Sequence, residues 1–106
     1  MSLRGARAGQ QRIVALDYEI AQEQASALGR LGRALEAALA ALAAHDLAAA
    51  PAGERARLVQ AASDALWCFV VQREACGLRD SRPVIRDYRV PAEVHHRMGV
   101  FRRRTP

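Results

Sequence analysis

An all-α fold follows from three observations on this 106-residue chain. Ala, the strongest helix former, dominates the composition, while strand formers are sparse: three Ile, and Thr105 as the only Thr. Apolar residues recur at helical spacing over two long stretches. Pro and Gly fall between and after those stretches, where helices start and stop. The predicted architecture is a long antiparallel helical hairpin followed by two short C-terminal helices, completed as a bundle in a homodimer.

Residues 1–12 are polar, rich in Gly and Arg, and without period, and are read as a disordered tail. From Ile13 to about Leu47 a helical pattern places Ile13, Ala21, Leu28, Leu31, Leu35, Leu39 and Leu42 in one stripe. Asp17, Glu19 and Glu23 come early, where the helix dipole favours anions. Gly29 and Gly32 interrupt this helix at about 1 kcal/mol each relative to Ala. They lie near one face, which fits either a close helix crossing or two tolerated glycines.

Residues 48–53, with Pro51 and Gly53, form the turn. A second helix spans about 51–76, with Pro in its first turn and Gly77 past its end. Leu58, Ala62, Ala65, Phe69 and Cys76 make its main stripe, widened by Val59, Leu66 and Val70, with Trp67 opposite. Residues 65–71, ALWCFVV, are apolar on every side, and such a segment calls for cover from several directions. Short helices follow over about 81–88, capped by Asp80 or Ser81, and about 91–98, stopped by Gly99. They are predicted to turn Val84, Ile85, Tyr88, Val94 and Met98 inward. Residues 13–99 thus make one domain, and 100–106 a basic tail.

The first helix, at about 52 Å, outruns the second, at about 39 Å. A lone hairpin cannot cover both the Leu/Ile stripe and the ALWCFVV block. A second copy is the expected cover, with Leu28, Leu31, Leu35, Leu39, Leu66, Trp67, Phe69 and Val70 as its interface.

The net charge of +5 suggests nucleic acid until it is located. Arg4, Arg7 and Arg12 lie in the first tail and Arg102, Arg103 and Arg104 in the last, leaving a body of 10 Arg against 11 acids. Such a body argues against a broad electropositive face. All basic residues are Arg, and Lys and Asn are absent, a pattern that suits a GC-rich genome. No stretch reaches the roughly 20 apolar residues of a membrane span, and the N-terminus lacks an apolar signal core. A cytoplasmic location is expected. Cys68 and Cys76, about 12 Å apart along one helix, are read as free thiols.

No residue pattern names a reaction, and no catalytic residue, metal ligand or cofactor is expected. His95 and His96 are adjacent, point about 100° apart and lack further ligands at metal spacing. The mixed charges around Arg73–Arg89 read as ion pairs that dock the short helices. The alternative function is nucleic-acid binding by a helix-turn-helix over residues 81–104. It would use His95, His96 and Arg97 on bases and Arg82, Arg86 and Arg102, Arg103 and Arg104 on phosphates. Ile85 and Arg89 stand where that motif favours a small residue and Gly, and the second helix is short for a recognition helix.

The stretch LWCFVVQREACGLRD, followed by VIRDYRVPAEVHHRMG, resembles a family of small, helical, uncharacterised bacterial proteins. The resemblance covers about Leu66–Gly99 and implies a stand-alone helical domain with no activity to carry over. The expected role is a homodimeric protein-interaction or structural module.

Overall fold

The computed structural model describes residues 3–103, with side chains from Arg7 to Met98. Four helices follow one another: α1 (Leu3–Ala48), α2 (Ala52–Ala75), α3 (Arg82–Asp87) and α4 (Ala92–Arg103). No strand occurs among the described residues.

α1 begins ten residues before the apolar period does. Residues 3–12 hold no Pro and, apart from Gly5 and Gly9, only the good helix formers Leu, Arg, Ala and Gln, so an existing helix extends through them without a new nucleation cost. The segment expected to be a disordered tail is therefore helical from Leu3. As a result the acids at Asp17, Glu19 and Glu23 lie in mid-helix, and no acid stands in the first turn. α4 likewise runs through Gly99 to Arg103. Glycine inside a helix costs about 1 kcal/mol, and here it does not stop one. Arg104 lies outside the described residues.

The α1–α2 connection uses Ala49 at φ 51° and Pro51 at the N-cap of α2. α2 closes as expected at Gly77, φ 88°, in a Schellman turn. There the Gly77 N–H donates to the Glu74 carbonyl at 2.9 Å, and the Leu78 N–H to the Arg73 carbonyl at 2.8 Å. The same pair of bonds ends α3, from Arg89 to Arg86 at 3.2 Å and from Val90 to Ile85 at 3.0 Å. Here Arg89 occupies the left-handed position, φ 51°, that glycine favours. At the start of α3 the N-cap Ser81 makes no side-chain cap bond, and the carboxylate of Asp80 before it accepts from the Arg82 N–H at 3.0 Å instead.

α2 is the central element, with α1 packed on one side and α4 on another. Leu35, Leu42, Val59, Ala62, Leu66, Phe69, Val70, Val84, Val90 and Val94 form the buried core. Ser63 is buried between α2 and α4, its hydroxyl 2.8 Å from the Val59 carbonyl and 3.0 Å from that of Val94. Gly32 lies against the edge-to-face pair Phe69–Tyr88, whose ring centroids are 5.4 Å apart. Of the two glycines, then, Gly32 permits a close crossing; beside Gly29 there is only the side chain of Arg33.

The ALWCFVV block is covered on two sides. Leu66, Phe69 and Val70 are buried and Trp67 is half-buried, while Cys68 and Val71 face solvent. Both cysteines are free thiols. The buried three are covered by the short helices and α1.

Candidate interaction surface

The uncovered apolar surface lies elsewhere. α1 has 46 residues and α2 only 24, so α1 projects well beyond the hairpin. The molecule measures 71 × 31 × 21 Å with a radius of gyration of 19.6 Å. A compact chain of this length would have a radius near 13 Å. Every described side chain from Arg7 to Glu23 is exposed. Among them are Ile13 (62% exposed), Val14 (67%), Leu16 (56%), Tyr18 (65%) and Ile20 (48%). Ile13 and Ile20 continue the helical face that carries Leu31 and Leu42 into the core. The stripe read from the sequence is thus one continuous face, used inside the chain from Leu28 to Leu42 and left outside it at Ile13 and Ala21.

This arm, from Leu3 to about Ser26, has a divided charge. Arg4, Arg7 and Arg12 occupy its first half without an acid, and Asp17, Glu19 and Glu23 its second half without a base. Cations at a helix N-terminus oppose the macrodipole, so the charge order does not serve the helix itself. A shallow hollow along Arg7, Gln10, Gln11, Val14, Ala15 and Tyr18 is formed by one helix alone and cannot enclose a small molecule.

Of the eight residues expected at a dimer interface, Leu35, Leu66, Phe69 and Val70 are buried in the chain's own core. Their apolar area is spent on α1–α2 packing. Leu28, Leu31 and Leu39 are partly buried against that core, and Trp67 is half-buried. The sequence reading did not single out Val14, Leu16, Tyr18 and Ile20. The excess length of the first helix over the second was the signal that pointed there.

The residues weighed for nucleic-acid contact are spread among local partners. Arg82 holds Asp80 at 3.0 Å, Arg86 holds Asp87 at 2.9 Å, and Arg97 donates to Gln60 at 2.9 Å. The guanidiniums keep the carboxyls of Asp80 and Asp87 low, that of Asp80 down to about 2. His95 and His96 are exposed with ring centroids 6.0 Å apart. At 12 residues, α4 is longer than its sequence signals indicated. The side chains of Arg102 and Arg103, like Arg104 as a whole, lie outside the described residues.

One polar cluster joins three elements. Arg55 on α2 donates to Asp46 near the end of α1 at 2.7 Å and to Glu93 at the start of α4 at 2.9 Å. Its guanidinium lowers the pKa of both carboxyls. Beside it, His45 is buried, with Nε2 3.1 Å from the Pro51 carbonyl. In that contact Nε2 donates, and Nδ1 lies 3.8 Å from Asp46. The cluster fastens the turn and α4 to the hairpin. A cleft of about 330 Å³ beside it, between α2 and α4, is lined by Ala52, Arg55, Ala56, Val59, Glu93 and Arg97. Its charged groups already pair with one another or with Gln60 and Asp46. Among the described residues no three His, Cys, Asp or Glu side chains gather as a metal site, and no helix is long and apolar enough to cross a membrane.

A family model, described as a family of unknown function (DUF6665), matches residues 3–105. No curated protein and no solved structure matches the chain.

Proposed function

The chain belongs to this family of unknown function, and from its geometry we propose that it is a homodimeric protein-interaction module whose docking element is the projecting arm of α1. The carrying observation is that Ile13, Leu16 and Ile20, 62%, 56% and 48% exposed, line one face of a helix that extends past its own core, with Val14 and Tyr18 exposed on its other side. Scattered apolar residues on a surface need no explanation, but a row of them on an isolated helix marks a contact face. The body, built on α2, acts as the anchor that holds the arm in one orientation.

Two helices in contact over the arm's roughly 36 Å, along a strip about 10–12 Å wide, bury roughly 700–900 Å² in total. That is the size of a weak, reversible complex. Sedimentation equilibrium from about 10 μM to about 1 mM, a range suited to a weak complex, is the test. The wild type should pass from monomer to dimer. A double variant, Ile13→Lys with Ile20→Lys, should stay monomeric with an unchanged body, because neither side chain packs against the core. A wild type that remains at 11.6 kDa throughout, or a double variant that dimerises as well as the wild type, overturns the reading.

A further inference from the structure

We propose that two copies of the arm pair antiparallel over its full length, so that the basic half of each lies against the acidic half of the other. This inference rests on the arm being the self-association face, and adds the arrangement.

Charge decides between the two possible directions. Glu23 continues the seam of Ile13, Leu16 and Ile20 at i+10, and Arg12 and Glu19 flank it, while Arg7 stands on the far side of the helix; parallel alignment would set Glu23 against Glu23 of the other copy. Like charges across a helix pair repel. Antiparallel overlap from Leu3 to Ser26 removes that meeting. Arg12 and Glu19 are seven residues apart and so share one flank of the helix. A two-fold axis then sets Arg12 of each copy close to Glu19 of the other, both pairs on one edge of the contact. The same overlap puts Ile13 opposite Leu16, and Ile20 opposite Gly9, where a small residue lets the backbones approach. Ile13, Leu16 and Ile20 stand at i, i+3 and i+7, the spacing of a helix–helix seam. The helix dipoles also run in opposition, which favours this direction. A symmetric contact of this kind closes as a dimer and does not propagate.

The bodies then sit at opposite ends of a rod. Each chain is 71 Å long, and overlap of the arms gives a particle about 105 Å in length. Parallel pairing would keep it close to 71 Å. Small-angle scattering on the dimeric fraction measures this difference directly.

Cysteine pairing tests the register in a full chain carrying Cys68→Ala and Cys76→Ala. Gly9→Cys in one copy and Ile20→Cys in the other should form a disulfide when the two proteins are mixed and oxidised. Each variant alone should not, because its own thiols lie about 16 Å apart along the pair, well beyond the roughly 7 Å a disulfide tolerates. In the wild-type background, Arg12→Glu and Glu19→Arg should each weaken dimerisation several-fold, and the two together should restore it. Disulfides within each single variant, a particle near 71 Å, or no rescue in the double charge variant overturns the antiparallel arrangement while leaving the interaction module intact. A chain that stays monomeric at all concentrations overturns both. So does one that instead pelts its arm onto anionic phosphatidylserine vesicles and remains single.

Discussion

Alanine at Gly29 and at Gly32 should move stability in opposite directions, although both replace a glycine in the same helix. In a helix interior each exchange gains about 1 kcal/mol from backbone propensity. At Gly29 the added methyl would meet only the Arg33 guanidinium, 3.2 Å away on an exposed, flexible side chain. That group can swing aside, so most of the gain survives. At Gly32 the methyl would stand 2.9 Å from the Tyr88 hydroxyl and 3.5 Å from the Phe69 ring. Tyr88 packs edge-on against the buried Phe69, so any shift of its ring disturbs that contact. Overpacking of this sort costs about 1–3 kcal/mol, which cancels or exceeds the propensity gain. The two variants should therefore differ by about 1–3 kcal/mol. Gly29→Ala should raise the melting temperature by about 4–8 °C, and Gly32→Ala should leave it level or lower it. Circular dichroism melts at one low protein concentration measure this free of the association equilibrium. Tyr88→Phe removes the nearest atom, so Gly32→Ala should recover part of its loss in that background, a coupling a double-mutant cycle reads. Equal gains at both glycines, or no coupling to Tyr88, would refute the close-crossing argument.

Three further outcomes follow from the caps and polar links. Arg89→Gly should stabilise the fold by about 0.5–1 kcal/mol, seen as a raised urea midpoint, because Arg89 holds φ 51° at a position that suits glycine. Ser63→Ala should cost about 1 kcal/mol by the same measure, since it removes the buried hydroxyl that ties α2 to the Val94 carbonyl of α4. Asp46, Glu93 and Asp80 all have carboxyls held below their ordinary pKa by arginines. Such groups stabilise the fold fully above their unfolded pKa values and lose that contribution as the pH falls through the folded ones. Melting temperature should therefore drop from about pH 4.5 toward about pH 2. Arg55→Gln should flatten the upper part of that slope and leave the lower part, which belongs to Asp80 and Arg82.

The hairpin, its turn and the Gly77 stop were legible because each has a local chemical cause: a periodic stripe, a proline, a left-handed glycine. So were most core residues, since Leu35, Leu42, Leu66, Phe69 and Val94 lie on the faces the period selects. Helix ends without a chemical stop were not legible. Nothing at residues 3–12 or at Gly99 forbids a helix, and propagation from a formed helix needs no apolar stripe. Which part of a stripe a chain covers by itself depends on the distance its partners reach. Periodicity therefore located the Leu/Ile face correctly, but assigned Leu35 and Leu66 to a second chain when both are buried in the chain's own core. The buried His45 carried no sequence signal beyond its helical register with Leu42 and Leu35.

The first two dozen residues of α1 also bear on amide exchange. With no tertiary contact, an isolated helix of that length in water is marginal. Here the body supplies the first turns, so only elongation remains, and protection against deuterium should fade gradually from Ser26 toward Leu3. Any molecule that grips this segment would lift that gradient, making backbone exchange a sensitive gauge of occupancy even where bulk mass barely changes.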